Sequence, residues 1–337
     1  MSAGRDAFEF AGLPARVVFG AGSIKRLPDE LDRLGLRRVV VISTPGQREL
    51  ADDVAARLGE NGLGTYSKAV MHVPVAVSAA AVAHLREVAA DGCVTVGGGS
   101  ATGLGKAVAL ETGLPLVALP TTYAGSEMTP VWGLTDEHGK RTGRDPRVAP
   151  RTVVYDPDLT AGLPVEISVT SAVNAMAHAV EAGYAPDGSP IVDLMAAEAT
   201  RCLLGGIDAL LGRPDSAAAR VDLLRGAWLA GNCLGATTMG LHHKLCHLIG
   251  GLYDLNHAWT HTVLLPYVMD FNLGSGGELT ALLERHGFHR SLADLGMPAA
   301  GIEAVADAAV AAPYANPKPV DRDAVRAIMA AAYRGSY

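Results

Sequence analysis

The chain is poor in the features that would mark the simplest alternatives. Only four of its 337 residues are cysteine, and Cys93, Cys202, Cys233 and Cys246 are widely spaced with no CxxC pair. That argues against a disulfide framework or a cysteine-based zinc site and for buried reduced thiols. Aromatic residues make up 5% against 49% hydrophobic overall, so the apolar content is mostly Ala, Val and Leu, as in α/β and helical enzymes with closely packed elements. No run approaches the roughly 18 apolar residues of a membrane-spanning helix, and MSAGRDAFEF lacks the apolar core of a signal peptide. The expectation is a cytoplasmic protein with no membrane partner. Positive charge is also scarce: 28 Lys and Arg against 35 Asp and Glu give a net charge of -7. Without a broad basic field nucleic acid is not an expected partner, and an anionic ligand must be held by local groups. The GxGxxG fingerprint is missing, and Gly105-Lys106 is followed by Ala107 where a P-loop needs Ser or Thr.

What is present reads as about two domains, at roughly 100–200 residues each. Residues 8–19, FEFAGLPARVVF, alternate apolar and polar positions around a Gly-Leu-Pro break and predict a short hairpin or edge strand pair. A helical stretch follows over 20–34. RVVVIS at 38–43 is a β-branched run suited to a strand buried on both faces, followed by a turn at 44–46 and a helix over 47–58. The pattern recurs with a helix near 78–90, a strand at 92–96, a glycine loop at 97–100, a helix over 101–111 and a strand at 116–119. Such alternation predicts a parallel, Rossmann-like sheet with ligand loops at the carboxyl ends of its strands. After Asp156-Pro157 the texture becomes Ala/Leu-rich and helical, with helices expected at 166–183, 189–211, 217–239, 240–252, 259–272, 276–287, 302–312 and 321–334. The fold class is therefore an α/β dinucleotide-binding domain over 1–158 and an all-α domain over 159–337.

Three stretches carry candidate chemistry. Gly97, Gly98, Gly99 and Ser100 follow a strand and open a helix, so their N–H groups form either a pyrophosphate cradle or simply a tight turn. In the loop 120–127, PTTYAGSE, the hydroxyls of Thr121, Thr122 and Ser126 suit phosphate or amide oxygens, unless Ser126 merely caps a helix. Five of the eleven histidines fall within residues 240–266: His242, His243, His247, His257 and His261. His243 and His247 share a helix face, as do His257 and His261, which suits convergence on one metal ion or substrate; a single such histidine is more often a hydrogen-bonded structural residue. Asn174 and His178 are four apart on another predicted helix. With an amide in place of a carboxylate, that set is a poor divalent-metal site, and Asn174 alone reads as an ordinary polar position.

FGAGSI at 19–24, GGGS at 97–100, PTTYAGSEMTPVWG at 120–133, DP at 156–157, NAMAHAVEA at 174–182, and HHKLCHLIGG with NHAWTHTVLLP near 242–266 resemble the group III, iron-type alcohol dehydrogenases over nearly the whole chain. The later motifs resemble its reductase branch. The resemblance implies a dehydroquinate synthase-like architecture and NADH- or NADPH-dependent reduction of the carbon–carbon double bond of 2-maleylacetate to 3-oxoadipate, in the degradation of aromatic compounds. It places the family's metal ligands on Asn174, His178, His243 and His257, and with Asn at the first position no metal is expected. It further implies catalysis by His243, His257 and His178, substrate contacts from Asn174, His242, Lys244, His247, His261 and Tyr123, and cofactor contacts from Thr44, Gly97, Gly98, Gly99, Ser100, Thr121, Thr122 and Ser126. A small dicarboxylate is the expected partner and a homodimer the expected assembly. Thr44 stands where NAD-selective relatives carry a carboxylate and Arg48 is near, so both cofactors are expected to serve. The alternatives are a metal-dependent alcohol or polyol dehydrogenase of the same fold, a lyase like dehydroquinate synthase, and a non-catalytic binding relative.

Overall fold

Four consecutive β-branched residues, Val39, Val40, Val41 and Ile42, are fully buried, as expected where a parallel strand is covered on both faces. A computed structural model of the chain describes residues 8–12, 15–312 and 314–335. Its contacts divide the described chain into two compact units: Gly12–Leu163, and Pro164 onward together with residues 8–11.

The first unit is built on strands β1 (Arg16–Phe19), β2 (Val39–Ile42), β3 (Gly62–Tyr66), β4 (Gly92–Gly97), β5 (Leu116–Pro120) and β8 (Thr152–Tyr155), with helices α1 (Leu27–Arg33), α2 (Arg48–Arg57), α3 (Val75–Glu87) and α4 (Gly99–Thr112). The six strands run in the order β1-β8-β5-β4-β2-β3, and every pairing is parallel. Because successive strand residues point to opposite faces, Val39 and Val41 pack with Leu31 of α1 and Val54 of α2, whereas Val40 and Ile42 pack with Leu85 of α3 and Leu104 of α4. Chain order reverses between β2, whose next strand lies on one side, and β4, whose next strand lies on the other. That switch point is where doubly wound sheets bind ligands.

Four strands escape the sequence reading. β3 is glycine-bearing, β8 has only four residues, and β6 (Val131–Asp136) with β7 (Gly139–Arg144) forms a separate antiparallel hairpin. The expected hairpin over 8–19 is corrected: residues 8–12 form no strand, 13 and 14 lie outside the described residues, and β1 pairs in parallel with β8. The helix expected from residue 20 begins at Leu27, because the N–H groups of Gly22 and Ile24 donate to the two carboxylate oxygens of Asp156, both at 3.0 Å, and hold the preceding segment as a turn.

The second unit contains α5 (Val165–Ala182), α6 (Pro190–Gly212), α7 (Ala217–Ala236), α8 (Leu241–Tyr253), α9 (His257–Leu273), α10 (Gly277–Arg285), α11 (Gly301–Val310) and α12 (Arg322–Arg334). Leu241, Leu245 and Ile249 of α8 share one core with Val263 of α9, Val305 of α11 and Met329 of α12. Side-chain caps start α6 at Ser189, α7 at Ser216, α9 at Asn256 and α12 at Asp321. α8 starts at Gly240, which has no side chain to cap with. Its cap comes from α5. All four cysteines are buried free thiols. Among the described residues no helix is long and apolar enough to cross a membrane.

Candidate active site

In the first unit, Thr44, Gly97 to Ser100 and Thr121 to Ser126 follow β2, β4 and β5 at their carboxyl ends. α4 has no side-chain cap, so its leading N–H groups and positive end face outward at Gly99, which is exposed. Glycine is required on both sides of this turn. A Cβ on Gly97, whose φ is +147°, would meet Gln47 Oε1 at 2.7 Å, and one on Gly98 would meet Thr122 Oγ1 at 2.7 Å. The Gln47 amide donates to Thr121 Oγ1 at 2.6 Å, and Thr121 N donates to Gly97 O at 3.2 Å, which ties the glycine and threonine loops together.

Ser126 does not cap. It opens a short 3-10 turn, and its hydroxyl has no protein partner among the described residues. Tyr123, expected at the substrate, is corrected: it is fully buried and its hydroxyl donates to Thr160 Oγ1 at 3.1 Å, so it anchors the loop instead. Lys106, which carries no role in the sequence reading, clamps the same loop by donating to Ser126 O, Thr129 Oγ1 and Val131 O at 2.6, 2.8 and 2.8 Å. Burial lowers its pKa to about 7 against the opposing pull of Glu127. Burial raises the Glu127 carboxyl despite the hydrogen bond it accepts from Tyr155 at 2.7 Å.

In the second unit, six histidines from three helices form one continuous cluster. His178 of α5 stacks on His243 of α8 at 5.0 Å between ring centroids, and His243 lies 5.1 Å from His261 of α9. His261 lies 4.9 Å from His242 and 4.4 Å from His257, and His257 stacks on His247 at 6.4 Å. His178, His242, His243 and His261 are buried, whereas His257 is partly exposed and His247 exposed. Lys244 points elsewhere, with its ammonium 5.8 Å from the Tyr314 ring.

The organising residue is Glu181. It follows Asn174 and His178 at helical spacing on α5 and is fully buried. Its two oxygens accept from the N–H of Gly240 at 3.0 Å and of His242 at 2.7 Å, so it caps α8 from another helix and gains from that helix's positive end. It also accepts from His243 Nδ1 at 2.6 Å and from the Tyr184 hydroxyl at 3.2 Å. Burial pushes the Glu181 carboxyl up, but the hydrogen bond and charge of His243 and the His242 backbone outweigh it and hold it at about 2. An ionised carboxylate only accepts, so His243 carries its proton on Nδ1 and Nε2 is the atom free to exchange one. Nothing else accepts at Nε2: that atom, with Asn174 Oδ1, His178 Nδ1, His242 Nδ1 and His261 Nε2, is buried without a protein partner among the described residues. Burial, reinforced by the neighbouring imidazoles, lowers the pKa of His242 to about 3 and those of His178 and His261 well below the usual range, so these three rings are neutral near pH 7.

Comparison with known proteins places the chain in a family. Residues 14–157 match the profile described as iron-containing alcohol dehydrogenase, and residues 168–278 match that of the family's C-terminal region. The maleylacetate reductase of Burkholderia cepacia is 48% identical over 98% of this chain and 99% of its own, and that of Sphingobium indicum 49% identical over 97% and 98%. The crystal structure of maleylacetate reductase from Agrobacterium tumefaciens superposes with a TM-score of 0.95 at 44% identity, covering 98% of this chain and 99% of that one. With both profiles matched and full-length relatives at this identity, the chain belongs to the iron-containing alcohol dehydrogenase family.

Proposed function

We propose that the protein reduces the conjugated carbon–carbon double bond of 2-maleylacetate to give 3-oxoadipate, with NADH or NADPH as reductant and no metal. The observation that carries the chemistry is His243, a buried imidazole locked by an ionised carboxylate at one nitrogen and unpartnered at the other. The relatives named above act, by their names, on maleylacetate.

Iron, which the family name implies, does not fit these residues. The first ligand position holds the amide of Asn174, which brings no charge to offset the ion. Among the described residues, the one trio of His, Cys, Asp or Glu ligand atoms within 4.8 Å of one another is His242, Cys246 and His261, which is not the family's set. The dinucleotide does fit, at the uncapped start of α4 and the unpartnered Ser126 hydroxyl.

When bound, the reduced nicotinamide supplies the hydride that adds to the substrate's β carbon. Charge then develops on the conjugated carbonyl oxygen, which needs a hydrogen-bond donor, and the α carbon needs a proton. His243 Nε2 is the atom that passes the proton in this reading: Glu181 holds the Nδ1–H and the ring's orientation, and its negative charge stabilises the imidazolium that carries a second proton on Nε2. His178 and His257, in ring contact with His243 and with its neighbour His261, hold the oxygen, and His242, His247, His261 and Asn174 hold the carboxylates. At the end of β2, Thr44 puts no carboxylate against a 2′-phosphate, and Arg48 opens the adjoining helix.

The test is a steady-state assay of 2-maleylacetate with each cofactor and mass analysis of the product. Equimolar cofactor consumption and 3-oxoadipate are expected, with kcat/KM for NADH and NADPH within about a thousandfold, roughly 4 kcal/mol. Absence of turnover with either cofactor overturns the reading. A larger preference for NADH overturns the assignment of Thr44.

A further inference from the structure

Cys246 takes no part in the reduction described above, yet it sits one turn beyond His242 on the same face of α8, with its sulfur 3.6 Å from His242 Nε2. Across from them, His261 Nδ1 of α9 lies 3.0 Å from the same nitrogen, and the three ligand atoms all fall within 4.8 Å of one another. All three residues are buried, Cys246 and His242 completely.

Zinc bound at about 2.0–2.1 Å to imidazole nitrogen and about 2.3 Å to thiolate in a tetrahedral arrangement sets N···N near 3.4 Å and N···S near 3.6 Å. The His242–His261 and His242–Cys246 spacings, 3.0 and 3.6 Å, lie within a few tenths of an ångström of those, and the third lies within 4.8 Å. Two imidazoles and a thiolate form a soft donor set, suited to Zn2+ and discriminating against Mg2+ or Ca2+.

We propose that His242 Nε2, His261 Nδ1 and the Cys246 thiolate form a binding site for one thiophilic cation, with Zn2+ as its type, and that filling it inhibits the enzyme by tying His242 and His261 to the ion and placing a positive charge beside His243. The binding is independent of the reductase reading; the inhibition rests on it. Protons balance as follows: the Cys246 thiol proton leaves to solvent, and the proton shared between His242 and His261 moves to an outward nitrogen. Those outward atoms, His242 Nδ1 and His261 Nε2, have no protein partner among the described residues and can carry it. The site then holds a net charge of +1 on two neutral imidazoles, one thiolate and the ion.

The probe is Co2+ followed by Zn2+ on the chelator-treated full-length protein. Wild type is expected to take up one Co2+ per chain with a near-ultraviolet cobalt–thiolate charge-transfer band, which Zn2+ displaces, and one equivalent of Zn2+ is expected to abolish turnover reversibly. Cys246→Ser is expected to keep its turnover, lose the band and require at least about tenfold more Zn2+ for inhibition, the scale on which a lost soft ligand weakens a site. Cys233→Ser should retain the band. Uptake of Co2+ without a thiolate band in wild type overturns the site whether or not any variant folds, as does a band that survives Cys246→Ser. A thiolate-bound Zn2+ that leaves turnover intact overturns the inhibition alone.

Discussion

The turn after β4 and the cluster on α5, α8 and α9 hold polar groups in opposite ways. In the first, the side chains are absent: Gly97, Gly98 and Gly99 let a ligand reach backbone N–H groups that the strand and helix geometry already aims. In the second, the backbone is satisfied within three helices and the side chains do everything, six imidazoles around one carboxylate. A backbone site is robust to side-chain choice elsewhere but intolerant of a Cβ at Gly97 or Gly98. A side-chain site tolerates small packing changes but depends on each ring's protonation and tautomer.

The sharpest way to break that contrast is to remove one imidazole. His243→Ala is expected to lower kcat by about two to four orders of magnitude while leaving KM for the cofactor and the far-ultraviolet circular dichroism unchanged. Near-normal turnover would make the cluster structural. Next in size is Glu181→Gln, which keeps the shape but removes the charge from both His243 and the start of α8. Breaking a buried pair costs about 3–5 kcal/mol, to be read as a lower urea midpoint, and the loosened His243 should cost about tenfold to a hundredfold in kcat.

Legibility follows the same division. The glycine turn was readable because its strand, loop and helix are contiguous, and the histidine spacings because four residues make a helical turn. Glu181 was not, although it lies inside the motif NAMAHAVEA: its role appears only when α5 meets the start of α8, about sixty residues later in the chain. Tyr123 misled for a related reason. Its place in a polar loop suggested a ligand contact, but tertiary packing turned the ring inward to Thr160. The parallel sheet was legible from RVVVIS and its repeats, whereas β3, with two glycines in five residues, and the hairpin β6–β7, with none of its described residues fully buried, carry no apolar run to read.

Two smaller effects sharpen the comparison. Gly97→Ala puts a Cβ at positive φ and against Gln47 and Ala101, a strain of about 1–3 kcal/mol. It is expected to raise KM for the cofactor about tenfold with kcat retained, the reverse of the His243→Ala pattern. Acid should strike the side-chain site first. His242, His178 and His261 have folded pKa values below the unfolded value near 6.5, so the unfolded chain binds more protons below that pH. Their contribution is fully present above about pH 6.5 and is lost as pH falls, through about 3 for His242, at roughly 1.4 kcal/mol per pH unit for each group. Glu181 adds a second loss from its usual carboxylate range down towards about 2. Urea midpoints measured from pH 8 to pH 4 should therefore fall from about pH 6.5 downward in wild type, and less steeply in His242→Gln.

The central claim is that a carboxylate-held imidazole does the work the family name assigns to iron. It is tested most directly by turnover of 2-maleylacetate on enzyme stripped with a chelator and analysed for metal. Unchanged kcat at a metal content far below one ion per chain is the expected result. A kcat that falls in step with the metal removed, and returns with iron or zinc, would contradict it.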